Sequence, residues 1–146
     1  MKRSITILLC VLAFNLSQAQ TSDKSGVEKA CMNYIEGFYE GDTAKLKESL
    51  QPSLNKFGFW KNKDGNYDQQ DHMSFEKALA YATNVKEKKQ FAKPDAPKVV
   101  EVLDLGNSIA AAKVTAWWGI DYILLSKRDE KWMIEQVIWE GPLEKR

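Results

Sequence analysis

Histidine, cysteine and net charge are all scarce in this chain of 146 residues. His72 is the one histidine, Cys10 and Cys31 are the two cysteines, and the formal charge is +1. One histidine and so few thiols cannot build a conventional zinc site, which takes three or four Cys, His or carboxylate ligands. A balance this close to neutral lacks the basic excess that marks nucleic-acid binders. No G-x-S-x-G elbow and no glycine-rich phosphate loop occurs, so serine hydrolases and nucleotide-binding P-loops are without their motifs. Mostly apolar stretches are short as well. The longest, Ile5 to Leu16, falls below the length of a membrane span.

That run belongs to "MKRSITILLCVLAFNLSQAQ", where Lys2 and Arg3 precede an apolar stretch and small residues stand at Ser17 and Ala19. The pattern is that of a secretory signal peptide over residues 1–19, cleaved before Gln20, leaving one domain over 20–146. Cleavage takes the 21 basic residues to 19 against 20 acidic ones, and the balance from +1 to −1. Cys31 is then the one remaining cysteine, so no disulfide forms within the chain. The expected location is the periplasm or the exterior, with no stable membrane insertion after cleavage. The cluster "KEKKQFAKP" reads as a solvated linker.

What the chain has is aromatic residues: five Trp, five Tyr and six Phe, each able to bury roughly 150–250 Å². In "GVEKACMNYIEGFYEGD", Val27, Cys31, Tyr34 and Phe38 recur at helical spacing and Gly41 ends the pattern. Asp42 caps a short helix, "TAKLKESL", which Pro52 closes. "LNKFGFWKNKDGNYDQQ" alternates and turns at "KDGN", a hairpin. Ser74 caps a third helix, "FEKALAYATNV". From Lys98 on, "KVVEVLDL", "SIAAAKVTAWW", "DYILLSK" and "KWMIEQVIW" are strands so closely spaced that only antiparallel pairing is possible between neighbours. Ala110, Ala112, Val114, Ala116 and Trp118 share one face of the second of these; Ile109, Ala111, Lys113, Thr115 and Trp117 share the other. The small, apolar face permits close helix packing or leaves a hollow. The class is α+β, with helices on one face of the sheet.

The segments "YIEGFYEGDTAKLKESLQPSLNKFGF" and "AAAKVTAWWGIDYILLSKRDEKWMIEQVIWEG" resemble the nuclear-transport-factor-2-like superfamily, and within it the branch known as putative lumazine-binding proteins. The resemblance covers nearly all of the chain after residue 20. It implies a cone-shaped fold in which three N-terminal helices pack on a curved antiparallel sheet of four to five strands, with a pocket between. It also implies homodimers. One departure is Gln51, which stands where this branch often has histidine before the Pro-x-Leu segment.

The expected lining of that pocket is Tyr34, Phe38, Tyr39, Trp60, Trp117, Trp118, Asp121, Tyr122 and Trp139, with Tyr67 as a further aromatic candidate. Asp121 stands just after the tryptophan corner. There it either makes local structure, bonding turn amides or pairing with Lys113 or Lys127, or acts as a general base with a raised pKa, assisted by Tyr34, Tyr39 or Tyr122. His72 is the second candidate catalytic group, although it lacks a positioned carboxylate. Paired histidines and an Asp-Arg-Asp set, used by dehydratases and epoxide hydrolases of the superfamily, are missing. Three readings remain open. The first is a binding domain for a small, flat, apolar or aromatic molecule, with no cofactor, no metal and no turnover. The second is an isomerase- or cyclase-type enzyme using Asp121. The third is an interaction module dimerising through Ile109, Lys113 and Thr115.

Overall fold

A computed structural model describes residues 22–144. The expected leader and its cleavage point lie outside the described residues. Helix α1 spans 22–40 and ends where Gly41 turns left-handed at φ +65. Glycine is required there twice over, since a Cβ would also stand 2.6 Å from the Ala82 carbonyl oxygen. Asp42 accepts hydrogen bonds from the Ala44 and Lys45 amides and so caps α2, Thr43–Ser49.

Helix α2 runs directly into strand β1, Leu50–Lys61. Pro52 therefore does not close the helix, as the sequence suggested, but lies within the strand that follows it. Its missing N–H is harmless because the pairing of β1 is interrupted between Leu50 and Asn55. A turn at Asn62 to Asn66, with Gly65 at φ +85, leads to the short β2, Tyr67–Gln69, which pairs antiparallel with β1. Ser74 caps α3, Phe75–Glu87. The rest is a meander of β3 (Val99–Leu105), β4 (Ile109–Ala116), β5 (Gly119–Arg128) and β6 (Lys131–Gly141).

The sheet has six strands in the order β2-β1-β6-β5-β4-β3, more than the four or five expected, and β1 pairs parallel with β6. Short turns enforce antiparallel pairing only between consecutive strands. The connection from β1 to β6 passes through a helix and four strands, so either direction was open to it. Register shifts in β3–β4, β5–β6 and β1–β6 mark irregularities that bend the sheet. The helices fill the concave face. Val27, Cys31, Tyr34 and Ile35 of α1 join Ala110, Ala112, Val114, Ile123, Ile134 and Val137 of the sheet in one core. Full burial of each large aliphatic chain contributes roughly 1.5–3 kcal/mol, while the alanines let α1 approach closely. Among the described residues no helix is long and apolar enough to cross a membrane.

Candidate functional site

Trp117 and Trp118 form the two-residue turn between β4 and β5, with Ala116 opposite Gly119. Gly119 is needed for close approach: a Cβ there would overlap the Glu140 carbonyl oxygen at 1.8 Å. The turn is braced from below by Tyr39, whose hydroxyl accepts the Trp117 amide at 2.8 Å and donates to the Pro97 carbonyl at 2.6 Å. Two residues beyond Gly119, the alternation of β5 turns Asp121 into the concave interior.

Asp121 is fully buried. Its Oδ1 accepts the Trp118 indole N–H at 2.7 Å and its Oδ2 accepts the Tyr34 hydroxyl at 2.5 Å. Lys56, on β1, donates to the Tyr34 oxygen at 2.7 Å, and its Nζ lies 3.6 Å from Asp121 Oδ2. At that separation the amine and carboxylate form an ion pair, and the hydrogen-bonded link between them runs through Tyr34. Among the described residues every buried side-chain polar atom has a partner. A carboxylate that has lost all contact with water is tolerable only when satisfied in this way.

Aromatic rings enclose the amine. Lys56 Nζ lies 5.3 Å from the ring centre of Trp139, 5.4 Å from that of Tyr34 and 5.9 Å from that of Trp118, within cation–π range. Burial pushes the Lys56 ammonium below its ordinary pKa, and the Asp121 charge works against that shift. The Tyr34 hydroxyl is held well above its ordinary value, first by burial and then by the Asp121 charge and hydrogen bond. It keeps its proton across the physiological range.

A cavity of about 200 Å³ opens beside this cluster. Lys56 closes its deep end, Phe38, Trp118, Trp139 and Trp60 wall it, and Met73, Tyr81 and Trp117 complete the lining. Tyr81 and Trp117 are about half exposed and stand at the opening. The walls meet edge to face, with 5.8 Å between the Phe38 and Trp118 centres and 6.2 Å between Trp60 and Trp139. Gly58 makes room for one of them: a Cβ would stand 2.4 Å from the Trp139 ring.

Phe38, Trp60, Trp117, Trp118 and Trp139 thus line one cavity. Tyr34 and Asp121 lie behind the lining and reach it only through Lys56 and Trp118. Tyr39 braces the turn. Tyr122 is on the opposite face of the sheet, more than half exposed, since it follows Asp121 in the alternation and pairs with Lys113 and Ile138. His72 is exposed in the loop before α3, against the Asn55 side chain, and is not part of the lining. Tyr67, on β2, packs beneath the Lys61 ammonium. Gln51 is buried at the start of β1, also outside the cavity. Lys113 and Lys127 pair with Glu101 and with Asp23 and Glu130, so neither is the partner of Asp121.

Lys56, Met73 and Tyr81 escaped the sequence reading. Lys56 left one trace. In "LNKFGFW" the inward positions are Leu54, Lys56, Gly58 and Trp60, whereas the phenylalanines at 57 and 59 mark the opposite phase of the strand. No group of three or more His, Cys, Asp or Glu among the described residues is placed to hold a metal ion.

A curved, unclosed sheet roofed by three helices, with a cavity between them, defines the nuclear-transport-factor-2-like class. The family described as "Putative lumazine-binding" matches residues 22–140, and the chain belongs to it. Among solved structures, an NTF2-like protein of unknown function from Shewanella baltica is 16% identical, covering 84% of this chain and 96% of its own, with a TM-score of 0.64. A second, from Silicibacter pomeroyi, is 15% identical over 82% of this chain and 96% of its own, TM-score 0.57. The association domain of C. elegans CaMKII is 11% identical over 84% of this chain and 98% of its own, TM-score 0.56. At these identities the likeness is one of fold. No curated protein matches the chain.

Proposed function

We propose that this protein is an exported binding domain that holds a small, flat, mostly apolar molecule without turning it over. The observation that carries this reading is the cavity itself, walled by aromatic rings with a single amine, Lys56, at its deep end. Ligand sites of drug size run to about 300–1,000 Å³ and are mostly apolar with a few placed polar groups. At about 200 Å³ this one suits a compound of one or two rings. The family description points the same way. Turnover through Asp121 finds less support, because that carboxylate is fully buried and already engaged by Tyr34, Trp118 and Lys56. Titrating tryptophan fluorescence and thermal stability with lumazine and a panel of one- and two-ring aromatics tests the reading. Saturable quenching with a matching rise in melting temperature is expected, and no response to any compound would overturn it.

Export rests on the leader-like residues 1–19; recovery from the periplasm or medium of a chain beginning at Gln20 is the expected result. A homodimer is favoured by the outer sheet face. There Tyr122 and Leu124 of β5 and Ile138 of β6 stand exposed side by side, with Ile109 further along β4. Contiguous exposed apolar surface of this kind marks interfaces. Sedimentation should give a dimer that Leu124→Glu weakens, and a wild-type monomer at high concentration would remove this part.

A further inference from the structure

Lys56 is at once a lining residue of the cavity and a member of the buried Tyr34–Asp121 cluster. Amines in wet, exposed positions are almost wholly protonated and carry no free lone pair. Here three rings strip the amine of water, and a hydrogen-bonded path leads from it through one hydroxyl to one carboxylate. The Tyr34 oxygen accepts from Lys56 and donates to Asp121 Oδ2, so moving two protons one bond each converts an ammonium and a carboxylate into an amine and a carboxylic acid. Desolvation works against the charged form of the amine, in keeping with the downward pull on the Lys56 pKa. Desolvated lysines in apolar pockets are nucleophiles toward carbonyl carbon.

We propose that Lys56 captures a small aromatic aldehyde in the cavity as a reversible imine. This rests on the reading of the cavity as a ligand site and names the class of ligand. The lone pair of the neutral amine attacks the carbonyl carbon while the carbonyl π pair moves to oxygen. The proton held by Asp121 returns through Tyr34 and, with one from the nitrogen, leaves with that oxygen as water. In sum, Lys–NH3+ and O=CH–R give Lys–NH+=CH–R and H2O, with Asp121 a carboxylate before and after. The iminium stays paired with Asp121 and lies against the faces of Trp118 and Trp139, the surroundings the ammonium has now. Water addition reverses the step, so the protein binds without consuming its ligand.

The test uses benzaldehyde as the probe and benzyl alcohol as its counterpart without a carbonyl. The purified protein is incubated with benzaldehyde near neutral pH, reduced with cyanoborohydride, and mapped by peptide mass spectrometry. Exposed lysines are almost wholly protonated there, whereas burial disfavours the charged form of Lys56, so Lys56 should acquire the benzyl group at least about tenfold faster than the exposed Lys63 or Lys86. Lys56→Arg, which keeps a cation beside Asp121, should remove the fast-labelling site and leave only slow labelling at exposed lysines such as Lys63. If both probes quench fluorescence but Lys56 labels no faster than Lys63, imine capture is overturned and the ligand site stands. If neither probe quenches and no adduct forms at Lys56, both fall.

Discussion

The Lys56 amine and the Asp121 carboxylate, brought from β1 and β5 to within 3.6 Å, share the Tyr34 hydroxyl between them. Both are removed from water, so neither can be deleted alone without leaving the other stranded. Lys56→Met should cost about 3–5 kcal/mol in urea denaturation, the usual penalty for an orphaned buried charge. Asp121→Asn should cost a comparable amount, and the double variant much less than the sum. Additive losses below about 1 kcal/mol each would mean the pair contributes no more than a surface ion pair does.

Gly58 sets the shape of the cavity by yielding its side-chain space to Trp139. In Gly58→Ala the new methyl overlaps the indole at 2.4 Å and must move it. Overpacking of this kind costs roughly 1–3 kcal/mol. Because the displaced ring is a cavity wall, ligand-induced quenching should fall with it. Full stability together with unchanged quenching would contradict this placement of Trp139.

Cys31 is fully buried on α1, and its thiol is pushed up to about 12 by burial, with Asp121 and Glu28 adding to the shift. The thiolate is the reactive form. Native protein should therefore be inert to a disulfide reagent at neutral pH and react at once in denaturant. Prompt reaction of the native form would show that α1 is not seated on the sheet as described.

Two carboxylates tie the fold to pH. Hydrogen bonding to Lys45, against some desolvation, holds Glu36 below its ordinary 4.5. For Glu135 burial pulls upward, but the Ser126 hydroxyl and the Arg128 guanidinium outweigh it, and the net direction is also down. A depressed carboxylate binds fewer protons folded than unfolded, so its stabilisation is complete above pH 4.5 and disappears as pH falls through the folded value. Urea midpoints should drop as pH falls below about 5, and Glu36→Gln should make the drop shallower. The effect is modest, since both side chains keep contact with water.

The sequence revealed those parts that depend on local chemistry. Asp42, Ser74 and Gly41 act at helix ends as their types demand, and the alternation of Ala110, Ala112, Val114 and Ala116 identified the covered face of β4. It did not reveal the parallel pairing of β1 with β6, which depends on contacts across about eighty residues. The same gap hid the site's central group. Asp121 was visible as a carboxylate in an apolar strand, but its partner lay on a strand whose neighbour was unknown, and Lys113 and Lys127 were nearer in sequence. Tyr122 was misplaced for a simpler reason: one step along a strand reverses the face.

A crystal structure of the protein grown with its strongest-quenching one- or two-ring ligand tests the central claim most directly: the aromatic hollow beside the Lys56–Tyr34–Asp121 cluster is where this family member holds its ligand. Density for a flat ring against Trp118 and Trp139, with a polar atom turned toward Lys56, is the predicted result. A ligand seated elsewhere, with Phe38, Trp60 and Trp139 collapsed onto one another in its absence, would contradict it.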